Sequence, residues 1–296
     1  MQTEVTQPLP RTGTRAAVTS RRVRAAWADL RHRPWRLLDP LLYPVYRSYE
    51  RSLARDVAAG PIPAHIGLIL DGNRRYARGM GLEATLGHQF GVDKLRKVLE
   101  WCLDLSVRHV TVYVFSTENF NRPDAEVECL LDLFVRESAQ LLQEPRLKSG
   151  RVRVKIIGQR ERLPERVIAA SEALELSTAG HDGMLLTFAL AYSGREEITD
   201  AVKGLLAAAA AEGRSLESVV AGLKAEEIER YLYTGGTPDP DFIIRTSGEQ
   251  RLSGFLIWQA AYSEFYFCDV LWPAFRRIDF LRAVRTYQSR DRRFGT

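Results

Sequence analysis

The sequence predicts an α/β fold with a mainly parallel central sheet and helices on both of its faces. From about residue 61 onward, short apolar runs alternate with longer stretches whose apolar residues recur at helical spacing. This alternation is typical of parallel sheets whose strands are joined by helices. The chain has 296 residues, of which 45% are hydrophobic, so it is long enough to bury one large core or two small ones.

The first predicted elements alternate between strand and helix. A continuous apolar run predicts a buried strand at 66–70, and helical spacing of apolar residues predicts a helix over 88–105. β-branched and aromatic residues then indicate a strand at 110–115, and an apolar stripe indicates a helix at 124–143. The pattern repeats, with strands at 152–157 and 185–190 and helices at 162–177 and 195–212.

The remaining predicted elements are shorter. A helix near 225–232 is expected to end before the Gly/Pro turn at 235–238. Short apolar strands are predicted at 242–244 and 255–258, and a helix at 279–290 closes the chain. In open parallel sheets, ligands bind beyond the carboxyl ends of the strands. The residues that follow each strand are therefore the candidates for function.

Two segments precede this folded region, which spans 61–296. Residues 1–20 mix Thr, Pro, Arg and Gly without periodicity, which predicts a disordered tail. Residues 21–60 are a basic, arginine-rich extension, predicted to be helical in pieces broken by Pro34, Pro40 and Pro44. We interpret it as an extra helix packed on the domain with its arginines in water. The alternative is an amphipathic helix on an anionic membrane surface.

The net positive charge of the chain comes from these N-terminal residues. Residues 1–60 contain eleven Arg, no Lys and five acidic residues, which gives them a net charge of +6. The whole chain carries +5, so the remainder carries −1. A nucleic-acid-binding protein is expected to have a basic face on its folded body, so this distribution argues against a nucleic-acid partner.

Several protein classes lack support in the sequence. Cys102, Cys129 and Cys268 are far apart and are interpreted as ordinary thiols in a reducing compartment. No stretch approaches the roughly 20 apolar residues of a membrane span, and the N-terminus lacks the apolar segment of a secretory signal. These features predict a cytoplasmic protein, with peripheral contact at the inner face of the membrane as a further candidate. Walker, dinucleotide-binding, GxSxG and HExxH motifs are absent.

The first predicted strand leads directly into residues that suit a diphosphate. Asp71 is a carboxylate at the tip of the strand, and Gly72 lets backbone N–H groups approach an anion closely. Arg74, Arg75 and Arg78 add positive charge beside it. A carboxylate that can hold a hard cation, together with arginines, indicates a metal-bridged diphosphate site. The alternative is a plain strand-to-helix turn.

Polar residues also follow the second predicted strand. The segment 116–122 contains hydroxyl groups, an amide and Arg122. Thr117 or Asn121, placed before Pro123, can instead cap the helix that follows. Both interpretations are compatible with each other.

A third polar cluster occupies 245–253. Arg245 and Arg251 bracket a turn of small residues with three hydroxyl groups, and guanidinium groups match phosphate oxygens in bidentate geometry. The alternative is a solvated surface turn. Glu264 follows as a lone acid in an aromatic-rich run, which makes it a candidate metal ligand.

These clusters contain motifs that resemble those of the cis-prenyltransferases, which include the undecaprenyl and other polyprenyl diphosphate synthases. The motifs are HIGLILDGNRRYA at 65–77, STENFNRP at 116–123 and RTSGEQRLS at 245–253, followed by WQ at 258–259 and YSE at 262–264. The resemblance runs from about residue 61 to the RRFG at 292–295. The NRR at 73–75 and the LLYP at 41–44 resemble most the actinobacterial short-chain branch that makes Z,E-farnesyl diphosphate.

The resemblance implies an Mg²⁺-dependent prenyltransferase that condenses isopentenyl diphosphate with geranyl or farnesyl diphosphate to give a Z-configured product. Asp71 and Glu264 would hold Mg²⁺, and Asp71 would help the allylic diphosphate to leave. Asn119 occupies the position often assigned as proton acceptor. Because a neutral amide is a very weak base, we expect a diphosphate oxygen to take the proton and Asn119 to orient the groups. The other implied substrate-binding residues are Gly72, Asn73, Arg74, Arg75, Tyr76, His88, Ser116, Thr117, Glu118, Phe120, Arg122, Arg245, Arg251, Leu252 and Ser253.

The resemblance also implies a homodimer and an apolar tunnel for the growing chain, which is expected to pass between the sheet and the helix at 124–143. Val114 is intermediate between the Ala of long-chain members and the larger residue of short-chain ones, and we expect a short product. The alternatives are a long-chain decaprenyl or undecaprenyl diphosphate synthase and a non-catalytic partner subunit. A non-catalytic subunit is expected to have lost residues such as Asp71 and Glu264, which this chain keeps.

Overall fold

The structure is a computed structural model that describes residues 39–148 and 150–290. Its contacts divide the chain into a unit at Met1–Ser52 and a unit at Leu53–Thr296, and the second unit contains the whole sheet. The predicted tail at 1–20, and the part of the predicted extension that precedes residue 39, lie outside the described residues.

The strands of the described chain form one six-stranded sheet in which every pair is parallel. They are β1 (His65–Ile69), β2 (His109–Ser116), β3 (Val152–Ile157), β4 (Met184–Tyr192), β5 (Phe242–Arg245) and β6 (Glu264–Phe267). Their order across the sheet is β3-β4-β2-β1-β5-β6. All five residues of the central strand β1 are buried, as its continuous apolar sequence predicts. The predicted α/β fold is confirmed.

Helices connect these strands along the chain. They are α1 (Asp39–Ala59), α2 (Asn73–Gly79), α3 (Leu86–Asp104), α4 (Asp124–Leu141), α5 (Pro145–Lys148), α6 (Glu165–Thr178), α7 (Gly194–Ala211), α8 (Leu216–Gly222), α9 (Ala225–Glu229) and α10 (Arg277–Gln288). The long helices agree with the predicted ones to within a few residues. The short helices α5 and α8 were not predicted.

One predicted strand is wrong. Residues 255–258 form turns, in which Leu256 adopts a positive φ of 45° and Phe255 and Leu256 are fully buried. A packed turn buries an apolar run as completely as a strand does, so the run alone does not distinguish them. Phe255 lies against β1 at Gly67, where an added Cβ would be 3.1 Å from the Phe255 ring. The sixth strand is instead β6.

The prediction that prolines break the N-terminal extension into pieces is also wrong for the residues that the structure describes. Helix α1 is continuous over Asp39–Ala59 and contains both Pro40 and Pro44. Pro40 lies in the first turn, where backbone N–H groups have no helical partner to lose, whereas Pro44 lies inside the helix, which continues past it despite the missing N–H donor.

The carboxyl ends of β2 and β4 are irregular. The strand pairing shifts at Val114, which is an extra residue in β2, and shifts back at Ala191, which is an extra residue in β4. Ala191 has a positive φ of 49°. Such β-bulges change the direction of side chains and are frequent beside active sites. The carboxyl edge of the sheet is therefore the expected location of the active site.

Along the described residues, no helix combines the length and the apolar character that crossing a bilayer needs. Cys102, Cys129 and Cys268 are all free thiols, and burial raises the pKa of Cys268 to about 11.

Candidate active site

Asp71 lies just beyond β1, and arginines approach both of its carboxylate oxygens. Arg245 Nη2 donates to Asp71 Oδ2 at 2.9 Å, and Arg75 Nη2 donates to Asp71 Oδ1 at 3.4 Å. Burial alone would raise the pKa of Asp71, but hydrogen bonds from Arg245 and Ser247 and the charges of Arg245 and Arg75 lower it overall. Asp71 is therefore held as an anion between two guanidinium groups.

Glycines fix the backbone that follows Asp71. Gly72 has a φ of 107°, and a Cβ at this position would lie 2.9 Å from Leu271 Cδ2. Asn73 begins α2, and its Nδ2 donates to the Leu70 backbone oxygen at 3.1 Å. Helix α3 packs closely on this turn, because a Cβ on Gly91 would lie 2.4 Å from Asn73 Oδ1. Only a residue without a side chain lets α3 approach the turn so closely.

Glu126 on α4 gathers three basic side chains. Its Oε1 lies 3.0 Å from Arg122 Nη1, 3.4 Å from Arg74 Nη1 and 3.7 Å from His88 Nε2. Burial and the charge of Arg122 lower the pKa of His88 to about 4, so this ring is neutral near pH 7. His88 is thus a neutral member of the cluster around Glu126. The positive charge of this cluster comes from Arg122 and Arg74.

The segment after β2 forms a short 3₁₀ helix, Thr117–Asn121. Ser116 and Asn119 cap it reciprocally, and Asn119 Oδ1 accepts the Ser116 backbone N–H at 3.2 Å. The prediction that Thr117 or Asn121 caps the next helix is wrong, because α4 has Pro123 at its N-cap and no side-chain cap. Asn119 lines the cavity described below with its side chain held by this local bond.

Three other predicted residues of these segments, Tyr76, Glu118 and Phe120, do not line the cavity described below. Phe120 packs edge-on against Phe115 at 4.9 Å between ring centroids, and the Arg162 guanidinium lies 4.6 Å from the Phe120 ring. Tyr76 packs edge-on against Phe90, and Glu118 is exposed.

The loop after β5 holds Arg245 in place. Arg245 is only 4% exposed and donates to Ser253 Oγ at 2.9 Å and to the Arg251 backbone oxygen. Arg251 is itself exposed and pairs with Glu249. Ser253 has a positive φ of 51°, and Leu252 packs against the buried core cluster. Arg245 and Ser253 line the same cavity as Asp71.

Glu264 lies at the other end of the strands. It begins β6 and pairs in register with Phe242, which pairs in turn with Ile66 near the start of β1. Asp71 lies five residues beyond Ile66, or about 16 Å along a strand. Glu264 forms an ion pair with Arg290 and does not line the cavity. Within one chain, the structure therefore does not place Glu264 and Asp71 on a common ion.

A single cavity of about 340 Å³ connects the polar rim to an apolar interior. Asp71, Asn73, Arg122 and Arg245 line its polar part. Its interior lies between the sheet and the helices, and the residues that line it include Val92, Leu95, Leu99, Val114, Leu130, Phe134, Leu141, Leu174 and Phe188. The expected apolar tunnel beside the helix at 124–143 is thus present as a cavity.

The rim carries more positive than negative charge. Five guanidinium groups, of Arg74, Arg75, Arg122, Arg245 and Arg251, face the three carboxylates of Asp71, Glu126 and Glu249. Burial and the charge of Arg74 lower the pKa of Arg122. The Nε atom of Arg245 is buried without a hydrogen-bond partner among the described residues. Such a surplus of cationic donors, of which Arg245 is buried, favours the binding of an anion.

Asp71 is the residue at which a divalent cation fits. Mg²⁺ is usually bound by one or two carboxylates plus waters and substrate phosphates, and seldom by a complete protein cage. Among the residues that the structure describes, no three or more His, Cys, Asp or Glu side chains form such a cage. One carboxylate beside a cationic rim fits a cation that binds together with a diphosphate.

Sequence reasoning missed three residues of this site. Glu126 was not singled out within the predicted helix at 124–143, although its spacing four residues after Arg122 is a signal for an ion pair. Ser247, whose Oγ accepts from Arg75 Nη2 at 2.5 Å, was treated only as part of a small-residue turn. Tyr113 donates from its hydroxyl to the Ser253 backbone oxygen at 3.1 Å, a contact for which the sequence gives no signal.

Comparison with known proteins identifies relatives of this chain. The family model described as "Putative undecaprenyl diphosphate synthase" matches residues 69–295. An isoprenyl transferase of Thermus thermophilus is 60% identical over 260 residues, which cover 88% of this chain and 99% of that protein. A tritrans,polycis-undecaprenyl-diphosphate synthase (geranylgeranyl-diphosphate specific) of Methanopyrus kandleri is 48% identical over 86% of this chain and 92% of that protein.

A solved structure agrees with the fold. Lavandulyl diphosphate synthase from Lavandula x intermedia, in complex with dimethylallyl diphosphate, matches with a TM-score of 0.74 and 32% identity. The match covers 79% of this chain and 99% of that one. The family match covers more than half of the chain and the relatives are matched over nearly their full length, so this chain belongs to the undecaprenyl diphosphate synthase family of cis-prenyltransferases.

Proposed function

We propose that this enzyme condenses isopentenyl diphosphate with a short allylic diphosphate, geranyl or farnesyl diphosphate, and releases a short Z-configured prenyl diphosphate. The observation that carries the proposal is the single cavity, which joins a cationic rim to an apolar interior of limited volume. A prenyl diphosphate has a matching division between an anionic head and an apolar tail.

The charged residues of the rim suit the leaving of a diphosphate. In the reaction, the C–O bond of the allylic substrate breaks and its electron pair leaves with the diphosphate. A carbon–carbon bond then forms to isopentenyl diphosphate, which loses a proton. Guanidinium groups that surround the departing oxygens stabilise the charge where it appears, which is often the largest single contribution to catalysis. We propose that Arg74, Arg75 and Arg122 bind the allylic diphosphate, and that Arg245, Arg251 and Ser253 bind isopentenyl diphosphate.

Asp71 is the proposed ligand for Mg²⁺. The cation, when bound, would neutralise charge on the leaving diphosphate and help to orient it. Asp71 accepts hydrogen bonds from Arg75 and Arg245, which favour its ionised carboxylate. Glu264 is not proposed as a second ligand of the same ion within one chain, because of its place at the amino end of β6.

Asn119 is proposed to orient the reacting groups rather than to take the proton. Its side-chain oxygen is engaged by the Ser116 backbone N–H, so the amide N–H₂ is the part left to face a ligand. An amide N–H₂ donates hydrogen bonds and does not accept protons. A diphosphate oxygen is the stronger base in this cavity.

The proposal is tested by incubating the full-length protein with labelled isopentenyl diphosphate, Mg²⁺ and each of several allylic primers. The products are then dephosphorylated and separated by chain length. We expect incorporation with geranyl or farnesyl diphosphate, and a short Z product. Asp71→Asn keeps the shape of the side chain and removes its charge, so it is expected to lower kcat by at least ~10²-fold. The proposal is wrong if no primer supports incorporation, or if Asp71→Asn turns over normally.

A long-chain product is the second candidate. The relative from Methanopyrus kandleri carries the name of an undecaprenyl-diphosphate synthase, and the cavity reaches as far as Leu141 and Leu174. The same separation by chain length distinguishes the two candidates. The homodimer and the membrane contact of residues 21–60 remain predictions, and gel filtration and vesicle sedimentation would test them.

A further inference from the structure

The charged residues that line the cavity fall into two groups. One is the rim described above. The other consists of Arg96 on α3 and Glu137 on α4, which line the cavity among apolar neighbours. Arg96 lies eight residues after His88 and Glu137 eleven residues after Glu126, or about 12 Å and 16 Å along the two helices. This pair is therefore well removed from the diphosphate groups and has no evident part in binding them.

Arg96 and Glu137 form a close ion pair that joins α3 to α4. Arg96 Nη2 lies 2.6 Å from Glu137 Oε2, and Arg96 Nη1 lies 2.6 Å from Glu144 Oε1. Arg96 Nη2 also donates to Gln140 Oε1 at 3.0 Å, and Gln89 Nε2 donates to Glu137 Oε1 at 3.2 Å. Both ends of the Arg96 guanidinium are thus fixed on the α4 side. We call these five residues the α3–α4 clasp.

The clasp is a polar element in a wall that is otherwise apolar. Glu137 is 13% exposed, whereas Arg96 and Glu144 are about one-third exposed, so the clasp reaches from the cavity wall to solvent. The hydrogen bond to Glu137 and the charges of Glu137 and Glu144 raise the pKa of Arg96, and the guanidinium stays charged at any working pH. Moving such a pair apart beside an apolar chain would leave charges poorly solvated.

Apolar residues line the cavity on both sides of the clasp. Val92 and Leu99 lie one turn before and after Arg96 on α3, and Leu133 and Leu141 lie one turn before and after Glu137 on α4. The apolar path therefore continues past the clasp, and the clasp holds together the two helices that bound this path. A tail that outgrows the available width has to displace the wall that α3 and α4 form, and the clasp resists movement of one helix relative to the other.

We propose that the α3–α4 clasp limits product length, because it ties together the two helices that form one wall of the cavity in which the prenyl tail grows. Arg96 and Glu137 are specificity-determining residues in this proposal, which rests on the proposed condensing activity. Weakening the clasp lets the cavity widen and accept further isoprene units. The chemistry at the rim, which is more than two helical turns away, is left unchanged.

The test compares product lengths among clasp variants at saturating isopentenyl diphosphate. Arg96→Met/Glu137→Leu removes both charges and keeps similar bulk, and we expect its longest product to gain at least one isoprene unit. The charge reversal Arg96→Glu/Glu137→Arg restores an ion pair between the helices and is expected to return the product toward the original length. The KM for the allylic primer should stay within about twofold in all of them, which a general loss of structure would not allow.

Arg166→Met is the matched control. Arg166 on α6 pairs with Glu128 and Asp132 of α4, so it also ties a helix to α4, but it does not line the cavity. We expect unchanged product lengths from this variant. If the double apolar variant fails to fold by circular dichroism, Arg96→Lys replaces it, since an ammonium group cannot bridge Glu137 and Glu144 as the guanidinium fork does.

The outcomes separate the two proposals. If the unmodified enzyme incorporates no isopentenyl diphosphate, the proposed function fails. If the clasp variants are active and their product lengths match those of the unmodified enzyme, the clasp is only a structural link and this inference is wrong. A change of length that Arg166→Met also produces would overturn it equally.

Discussion

Gly91→Ala is expected to damage the active site through a single added methyl group. Gly91 lies on α3 under the turn that follows β1, and an alanine Cβ would lie 2.4 Å from Asn73 Oδ1 and 3.0 Å from Asn73 Cγ. Ordinary contacts between such atoms need roughly 3.5 Å, so the two groups must separate by about 1 Å. The Asn73 side chain has little freedom to move, because its Nδ2 is bonded to the Leu70 backbone oxygen.

Two magnitudes follow from this overlap. Overpacking a buried contact costs about 1–3 kcal/mol of unfolding free energy, which lowers Tm by about 2–12 °C for a chain of this size. A displacement of about 1 Å at a site that positions substrate can lower the rate about 10²-fold. We therefore expect kcat/KM for the allylic diphosphate to fall by about that factor, with a modest loss of thermal stability.

The assay pairs thermal denaturation with incorporation of labelled isopentenyl diphosphate. Gly222→Ala is the control, because no atom lies within 4 Å of a Cβ at that position. Asn73→Ala isolates the contact: adding Gly91→Ala to it should cost little further stability, since the clashing amide is gone. Normal turnover by Gly91→Ala would refute the packing argument. So would a double variant that is less stable than Asn73→Ala by as much as Gly91→Ala is less stable than the unmodified protein.

Three other predictions follow from the structure. Val114→Ala, at a residue that lines the cavity, should lengthen the product, and an unchanged product spectrum would remove Val114 from the length control. EDTA should abolish turnover, and Mg²⁺ should restore it, without a change in circular dichroism; full activity in EDTA would contradict the proposed cation. Burial lowers the pKa of His65 to about 4 from an unfolded value near 6.5, so its contribution to stability is complete above pH 6.5. That contribution is lost as the pH falls toward 4, by up to about 3 kcal/mol. Urea titrations at pH 7 and 4.5 should show a smaller decrease for His65→Gln than for the unmodified protein, and equal decreases would contradict this.

Much of the fold was predictable because its signals are local. The strands β1 to β5 were located from their sequences, since most are apolar runs bounded by polar residues and β3 begins with alternating apolar and charged residues. Strand β6, Glu264–Phe267, was missed because its charged first residue was interpreted as a candidate metal ligand and not as the start of a strand. The apolar run at 255–258 was mistaken for a strand, because the positive φ angles at Ser253 and Leu256 that turn the chain are invisible in non-glycine residues.

The candidate site was predictable in composition and only partly in geometry. The sheet rule and the motifs correctly brought Asp71, Arg122 and Arg245 to one cavity. The sheet rule and the motifs did not reveal that Glu264 lies near the amino ends of the strands. The position of Glu264 depends on the register between β5 and β6. Register is set by pairing between distant segments, which the local sequence does not show. The role of Glu126 was missed for a similar reason, since two of its three basic neighbours come from α2 and α3.

The paired irregularities at Val114 and Ala191 constrain how this edge of the sheet can change. An extra residue in β2 is cancelled by an extra residue in β4, so the strands return to their original alignment at Ser116 and Tyr192. Deleting either residue alone would leave every following side chain rotated to the wrong face, whereas deleting both would preserve the alignment and flatten the rim. Insertions and deletions in these two strands are therefore expected to be tolerated only as compensating pairs, one in each strand.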